Sequence, residues 1–404
     1  MWRNFTPPAA ASYSRLSGPL LLHRSQSPCL RSVSGAEVAV PTTPYYHPPA
    51  PSTFDGPERG ARSAIRQGGP ATSYCAAVSA LRLDPGNVAN MSEILCSMSL
   101  TEIARGIQDR HFSSVEVTEA CLRRIEASQD TWNAFLHVEA ESAMDAARDA
   151  DAALARACVR GPLHGVPVAH KDVYYRAGRV ATCGSRIRRS FVPDHTASVL
   201  SRLDGAGAID LGGVNTSDSG CNPFGLNVLA GRARNPWSPD RITGGSSSGS
   251  GAAVAGGLVF ASLGTDSGGS IRLPAAMCGV VGLKPTEGLV SRHGIMPLSQ
   301  TLDSAGPLTR TVADCATVTG VVAGHDPLDS TTRDNSVPDF AGAIENPVAG
   351  IRIGVPTQYI IGKSYPTTFG PSSTKASRSS KTRARRSSRC PFPIQRPWMP
   401  WPMS

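Results

Sequence analysis

Two loops dense in glycine and serine constrain this chain more than any other feature. They are Gly244-Gly245-Ser246-Ser247-Ser248-Gly249-Ser250 and Gly264-Thr265-Asp266-Ser267-Gly268-Gly269-Ser270. Glycine reaches backbone angles closed to other residues and lets main-chain N–H groups come close to a second chain or a substrate. Serine supplies hydroxyls that attack or relay protons. The small, apolar stretch between the loops predicts a helix over Ala252–Leu258 and a strand over Val259–Leu263. Upstream, Lys171-Asp172 follows an apolar segment and offers a candidate base.

The flanking pattern supports an α/β reading. Ser99 to Glu102 has the form of a capping box, and Ser113-Ser114-Val115-Glu116 opens a second helix through Val117, Ala120, Cys121 and Ile125. Glu139–Ala157, Ala197–Leu203 and Thr311–Val322 are predicted helices. Gly165–Ala169, Ala208–Leu211, Gly279–Leu283 and Ile351–Val355 are predicted strands. Helices alternating with short apolar strands imply an α/β sheet covered on both faces. Active groups then belong on loops leaving the strand ends.

Three segments follow from composition. Residues 1–90 are rich in Pro, Ser, Gly and Ala without a sustained period. They fit a disordered leader, a transit-like segment with Arg3, Arg15, Arg24 and Arg31 ahead of the first acid Glu37, or an untranslated extension. Helical pattern beginning within ten residues of Met91 favours the extension. Residues 91–360 carry the alternating pattern. Residues 361–404 hold nine Lys or Arg and no acid, and end in proline-rich sequence, so they read as a low-complexity basic tail. The formal net charge of +9 therefore belongs to the ends, and no nucleic-acid role is expected of the central body. Ten scattered cysteines without a CxxC pair argue against a disulfide framework and a zinc site. No apolar run approaches a bilayer-spanning length. Reduced thiols place the chain in the cytoplasm, or in a mitochondrion or plastid if residues 1–90 are a transit peptide.

Amide hydrolysis needs a nucleophile, a proton relay and donors for an oxyanion. Ser270 follows two glycines, and the backbone N–H groups of Ser267, Gly268, Gly269 and Ser270 can line a pocket. Lys171 is the only lysine between Met91 and Ala275. A lysine buried among apolar neighbours loses its proton near neutral pH. The plainer readings stand beside these. A Gly/Ser run alone is the composition of a flexible loop, and it is not a Walker phosphate loop because the Gly-Lys-Ser/Thr ending is missing. A single lysine is ordinarily a solvated charge. His170 orients Lys171 or fills space. Asp172, Asp266 and Arg272 read as structural, with Arg272 pairing to hold the loop, and Cys278 as packing. His164, His195 and His293 lack ligand spacing.

Several blocks in order resemble the amidase signature family. Besides the two loops they include Gly161-Pro162-Leu163-His164-Gly165-Val166-Pro167, Arg272-Leu273-Pro274-Ala275, Cys278 to Thr286 and Asp303 to Asp314. The resemblance covers roughly residues 97–357 and implies that the sheet covered on both faces is mixed. It implies a Ser–cis-Ser–Lys triad of Ser270 as nucleophile, Ser246 as bridge after a cis Gly245–Ser246 peptide, and Lys171 as base. It also implies an oxyanion hole of the Ser267 to Ser270 amides, with Ser247, Ser248, Asp266 and Arg272 as supports. The implied reaction is hydrolysis of a carboxamide through an acyl-enzyme. No metal or organic cofactor is implied, and a homodimer is compatible.

The family's pattern continues well past Val355, whereas Lys363 onward does not fit, so the C-terminal part of the fold is expected to be incomplete, as in a frameshifted or truncated copy. Two alternatives accompany the amidase reading. One is the glutaminase subunit of a tRNA-dependent amidotransferase, which typically has Gln where Leu273 stands. The other is an inactive remnant.

Overall fold

The computed structural model describes residues 88–334, 336–347, 353–355 and 387–389. All fall within one compact unit. The expectations for residues 1–87 and for nearly all of 361–404 lie outside the described residues. Of the basic tail, 387–389 is described as a strand, β10, paired in parallel with β9 (Ile353–Val355).

Local capping chemistry starts two of the early helices where the sequence predicts. Helix α1 (Val88–Ser97) precedes α2 (Leu100–Gln108) and α3 (Ser114–Trp132). At α2 the Ser99 hydroxyl accepts from the Glu102 amide while the Glu102 carboxylate accepts from the Ser99 amide at 2.8 Å. Ser113 and Glu116 repeat the exchange at α3. Each pair satisfies two amides that a helix end leaves unpaired. Helix α2 buries Leu100, Ile103 and Ile107, its apolar stripe. Helix α4 (Ala140–Ala155) buries Ala143, Ala147 and Ala150 at helical spacing.

The sheet has six strands in the order β1-β3-β2-β6-β8-β7. They are β1 (Phe135–Val138), β2 (Pro167–Lys171), β3 (Ile209–Val214), β6 (Ala261–Asp266), β7 (Val281–Gly282) and β8 (Ser304–Thr309). A separate hairpin joins β4 (Arg234–Asn235) to β5 (Ser238–Ile242). Strands β3, β2 and β6 are mutually parallel, and β1, β8 and β7 pair antiparallel. Around this mixed sheet pack α5 (Ser198–Gly205), α6 (Ser248–Ala255), α7 (Arg272–Cys278), α8 (Val312–Val322) and the earlier helices. Val168, Leu211, Leu263 and Leu308 from four adjacent strands are buried in one core. Each such side chain contributes roughly 1.5–3 kcal/mol of transfer free energy.

Several elements differ from the sequence reading: α6 begins four residues before the predicted helix, and β6 runs three residues past the predicted strand. Strand β2 runs two residues further, so Lys171 ends the strand instead of following it. The Gly279–Leu283 strand shrinks to the two residues of β7, because Gly279 takes a left-handed conformation (φ 68°) that ends α7. Strand β8 carries Gly306 and Pro307, residues that argue against a strand, yet it pairs with β6 along its whole length. Among the described residues no helix is long and apolar enough to cross a membrane.

Candidate active site

Parallel pairing of β2 and β6 places their C-terminal ends side by side. Lys171 closes β2, and Thr265 and Asp266 close β6. The Gly/Ser loop ahead of α6 lies on this same edge. Two glycines make that approach feasible. A Cβ on Gly249 would stand 2.2 Å from the Asn215 amide nitrogen, and one on Gly264 would stand 2.7 Å from Ser247 Oγ. With hydrogen there instead, the Gly249 amide donates to the Asn215 carbonyl at 2.8 Å, which seats α6 on the end of β3. The Ser247 hydroxyl lies 3.2 Å from both the amide nitrogen and the carbonyl oxygen of Thr265, so it bridges the loop to β6.

Within this frame Lys171 and Ser246 meet. Both are buried. Lys171 Nζ donates to Ser246 Oγ at 2.7 Å and to Thr265 Oγ1 at 2.7 Å. The Gly245–Ser246 peptide bond is cis. The Ser246 carbonyl accepts from the Ser217 amide (3.0 Å) and from Thr216 Oγ1 (3.1 Å), so the run after β3 holds the serine's main chain. Complete burial pushes the Lys171 amine down to about 7, against a partial pull upward from Asp303 and Asp266. Near neutrality much of it is an uncharged amine, able to take a proton through the Ser246 hydroxyl.

Ser270 is half-buried on the facing loop, where its carbonyl accepts from the Ser247 amide at 3.2 Å. That loop is organised around the buried Asp266. Its carboxylate accepts from the amides of Gly269 (2.7 Å) and Ile271 (3.2 Å), and from Arg272 Nε and Nη2 at 2.9 Å each. Burial alone would raise this carboxyl, but the Arg272 guanidinium and the two amides outweigh it and hold it below the usual range. Arg272 thus keeps the loop-holding role read from sequence. Of the four amides expected to face an oxyanion, that of Gly269 is engaged by Asp266. Ser248 also departs from its expected supporting role, since its buried hydroxyl has no hydrogen-bond partner among the described residues.

Strand alternation settles His170. It faces away from Lys171 and pairs with Asp210 at 3.1 Å, beside Arg176 and Arg179. Asp172 is buried, accepts from the Thr182 hydroxyl, and is pushed up by that burial. Cys278 is packed beneath the Thr243 carbonyl, its thiol pushed up to about 12 by burial. Sequence reasoning missed Thr265, Thr216 and Ser217. The polar run Asn215-Thr216-Ser217 straight after an apolar strand was an available signal for the last two. Among the described residues no cluster of His, Cys, Asp and Glu could hold a metal.

A cavity of about 260 Å³ opens beside these groups, bordered by Gly220, Thr265 and Ser267. A Cβ at Gly220 would stand 3.9 Å from Ser246 Oγ and 4.0 Å from Lys171 Nζ, so the Gly220 wall of the cavity stands against the lysine–serine pair, which is itself buried behind it.

Comparison with known proteins gives a consistent result. A family model described as Amidase matches residues 116–377, well over half of the chain and past residue 360, where the sequence pattern weakens. The chain is 45% identical over 267 residues to a glutamyl-tRNA(Gln) amidotransferase subunit of Geobacter sulfurreducens, covering 66% of this chain and 55% of that protein. It thus spans about half the length of the curated relatives it matches. A solved chain from a vestigial protein complex, connected with the origins of an s-triazine catabolic enzyme, is 36% identical with a TM-score of 0.69. That match covers 73% of this chain and 64% of the other. The peptide amidase of Stenotrophomonas maltophilia is 33% identical with a TM-score of 0.64, over 70% of this chain and 60% of its own.

Proposed function

The chain belongs to the amidase family, and from that premise we propose that it hydrolyses a small-molecule carboxamide to a carboxylic acid and ammonia or an amine. The observation that carries the reading is the 2.7 Å contact between Ser246 Oγ and a Lys171 amine that burial brings to about 7. In this mechanism neutral Lys171 takes the Ser246 proton as Ser246 takes that of Ser270. Ser270 Oγ then attacks the amide carbon. The tetrahedral oxyanion is met by the amides of Ser267, Gly268 and Ser270, donors worth about 3 kcal/mol each when aimed at the developing charge. The C–N bond breaks as the proton returns through Ser246 to the leaving nitrogen, and water releases the acid from Ser270 by the reverse relay. The described cysteines are free thiols, which supports a reducing, cytoplasmic setting.

A second reading is a glutaminase component of an amidotransferase, supported by the 45% identity to the Geobacter protein. It requires a partner protein, and glutamine as the ammonia source. The test is amide turnover by the full chain with and without Ser270→Ala. We expect turnover that the substitution abolishes; turnover unaffected by it would refute Ser270 as the nucleophile. Ammonia release from glutamine only in the presence of a partner protein would favour the second reading.

A further inference from the structure

Resting on the hydrolase reading above, we propose that the cavity beside Lys171 is the acyl pocket and that it selects a neutral amide whose acyl group is a single ring or a branched alkyl chain, against amides that carry a carboxylate.

Size is the first argument. A cavity of about 150 Å³ lined by Leu, Ile and Phe accepts benzene. The roughly 260 Å³ here has room for one ring together with its carboxamide. Lining is the second. Val173, Ile295, Met296, Pro297, Leu298 and Leu328 supply the apolar part of its lining.

Charge is the third argument, and it decides between substrates. The ionisable side chains lining the cavity besides His293 are Arg292, Asp303 and Asp329. Asp303 is committed to the protein: Oδ1 accepts from the Ser267 hydroxyl, and Oδ2 accepts from the amides of Leu298 (2.7 Å) and Ser299 (2.9 Å). Asp329 Oδ2 accepts from the Arg292 amide at 2.7 Å, while Oδ1 accepts from the Thr331 amide and hydroxyl. Arg292 donates through Nη1 to the Gln300 carbonyl at 2.6 Å, and its Nε lies 3.9 Å from Asp329. One cation is therefore set against two carboxylates. A substrate carboxylate entering here gives up water against a net negative lining whose one cation already leans on the Gln300 carbonyl and Asp329, which is costly. A ring or branched alkyl group loses nothing by the same move.

The experiment uses the full chain in two steps. A fluorophosphonate probe first reports whether Ser270 is a competent nucleophile. Initial rates then give kcat/KM for benzamide, isobutyramide, glutamine and succinamate. We expect labelling, with both neutral amides favoured over both carboxylate-bearing ones by at least about tenfold, the scale on which pockets discriminate through one group. Leu298→Arg, at a half-exposed position on the apolar wall, should lower benzamide turnover and raise that of succinamate. A labelled chain that prefers glutamine or succinamate, or that turns over none of the four, overturns the pocket assignment while leaving the nucleophile standing. A chain neither labelled nor active refutes the hydrolase reading itself.

Discussion

Lys171→Met separates the energetic cost of the buried lysine from everything else it does. Methionine keeps the unbranched stem and discards the amine. In the unfolded chain the lysine has an ordinary value near 10.5, whereas in the fold burial brings it to about 7. The proton-binding difference sets the sign. Between pH 7 and 10.5 the unfolded lysine is protonated and the folded one is largely not, so the unfolded state binds more protons and stability rises with pH. Below pH 7 the handicap is full and flat; above 10.5 it vanishes. At one pH unit per 1.36 kcal/mol, the lysine costs the wild type about 4 kcal/mol at pH 7 and about 1 kcal/mol at pH 10. The hydrogen bonds to Ser246 and Thr265 contribute a further difference between the two proteins, but it varies little with pH and cancels in the comparison. Urea unfolding of both proteins from pH 7 to pH 10 measures the change. The wild type should gain about 3 kcal/mol on the variant across that range. A stability difference that stays constant with pH would show that Lys171 keeps its ordinary proton affinity, and the argument for a neutral base would fail.

Three other perturbations test neighbouring steps. If neutral Lys171 is the base, kcat/KM should rise through a midpoint near 7 and lose about tenfold for each pH unit below it, as the amine becomes protonated; a flat profile from pH 5 to 8 counts against the relay. Thr265→Val removes one of the two hydroxyls that meet Nζ and should lower kcat/KM by roughly 10- to 100-fold, a hydrogen bond's worth, while thermal unfolding shows the protein still folded; an unchanged rate would make Thr265 mere packing. Gly249→Ala forces a methyl against the Asn215 backbone and should destabilise the fold by about 3 kcal/mol or more, because neither main chain can give way cheaply; a change under about 0.5 kcal/mol would mean that α6 is not seated on β3 as described.

The residues differ in how far their sequence neighbours announce them. Ser99 with Glu102 and Ser113 with Glu116 form caps from atoms three residues apart, so their geometry is local and readable. The Gly/Ser loops announce themselves because only glycine tolerates the contacts at 249 and 264. Strand ends are less legible. A shift of β2 or β6 by two or three residues changes no local preference, and only the pairing between the strands selects the register. Strand β8 was hidden by Gly306-Pro307, which tertiary pairing with β6 overrides.

What the sequence by itself determined is chemical inventory and local shape: a single lysine well upstream of two serine-rich loops, glycines where main chains must touch, and capped helices between short strands. Only the tertiary structure decided that Thr265 shares the lysine's protons, that His170 turns to Asp210, and that burial brings the Lys171 amine near neutrality. Those outcomes depend on desolvation and on contacts between residues about 40 to 90 positions apart, which no short window of sequence contains.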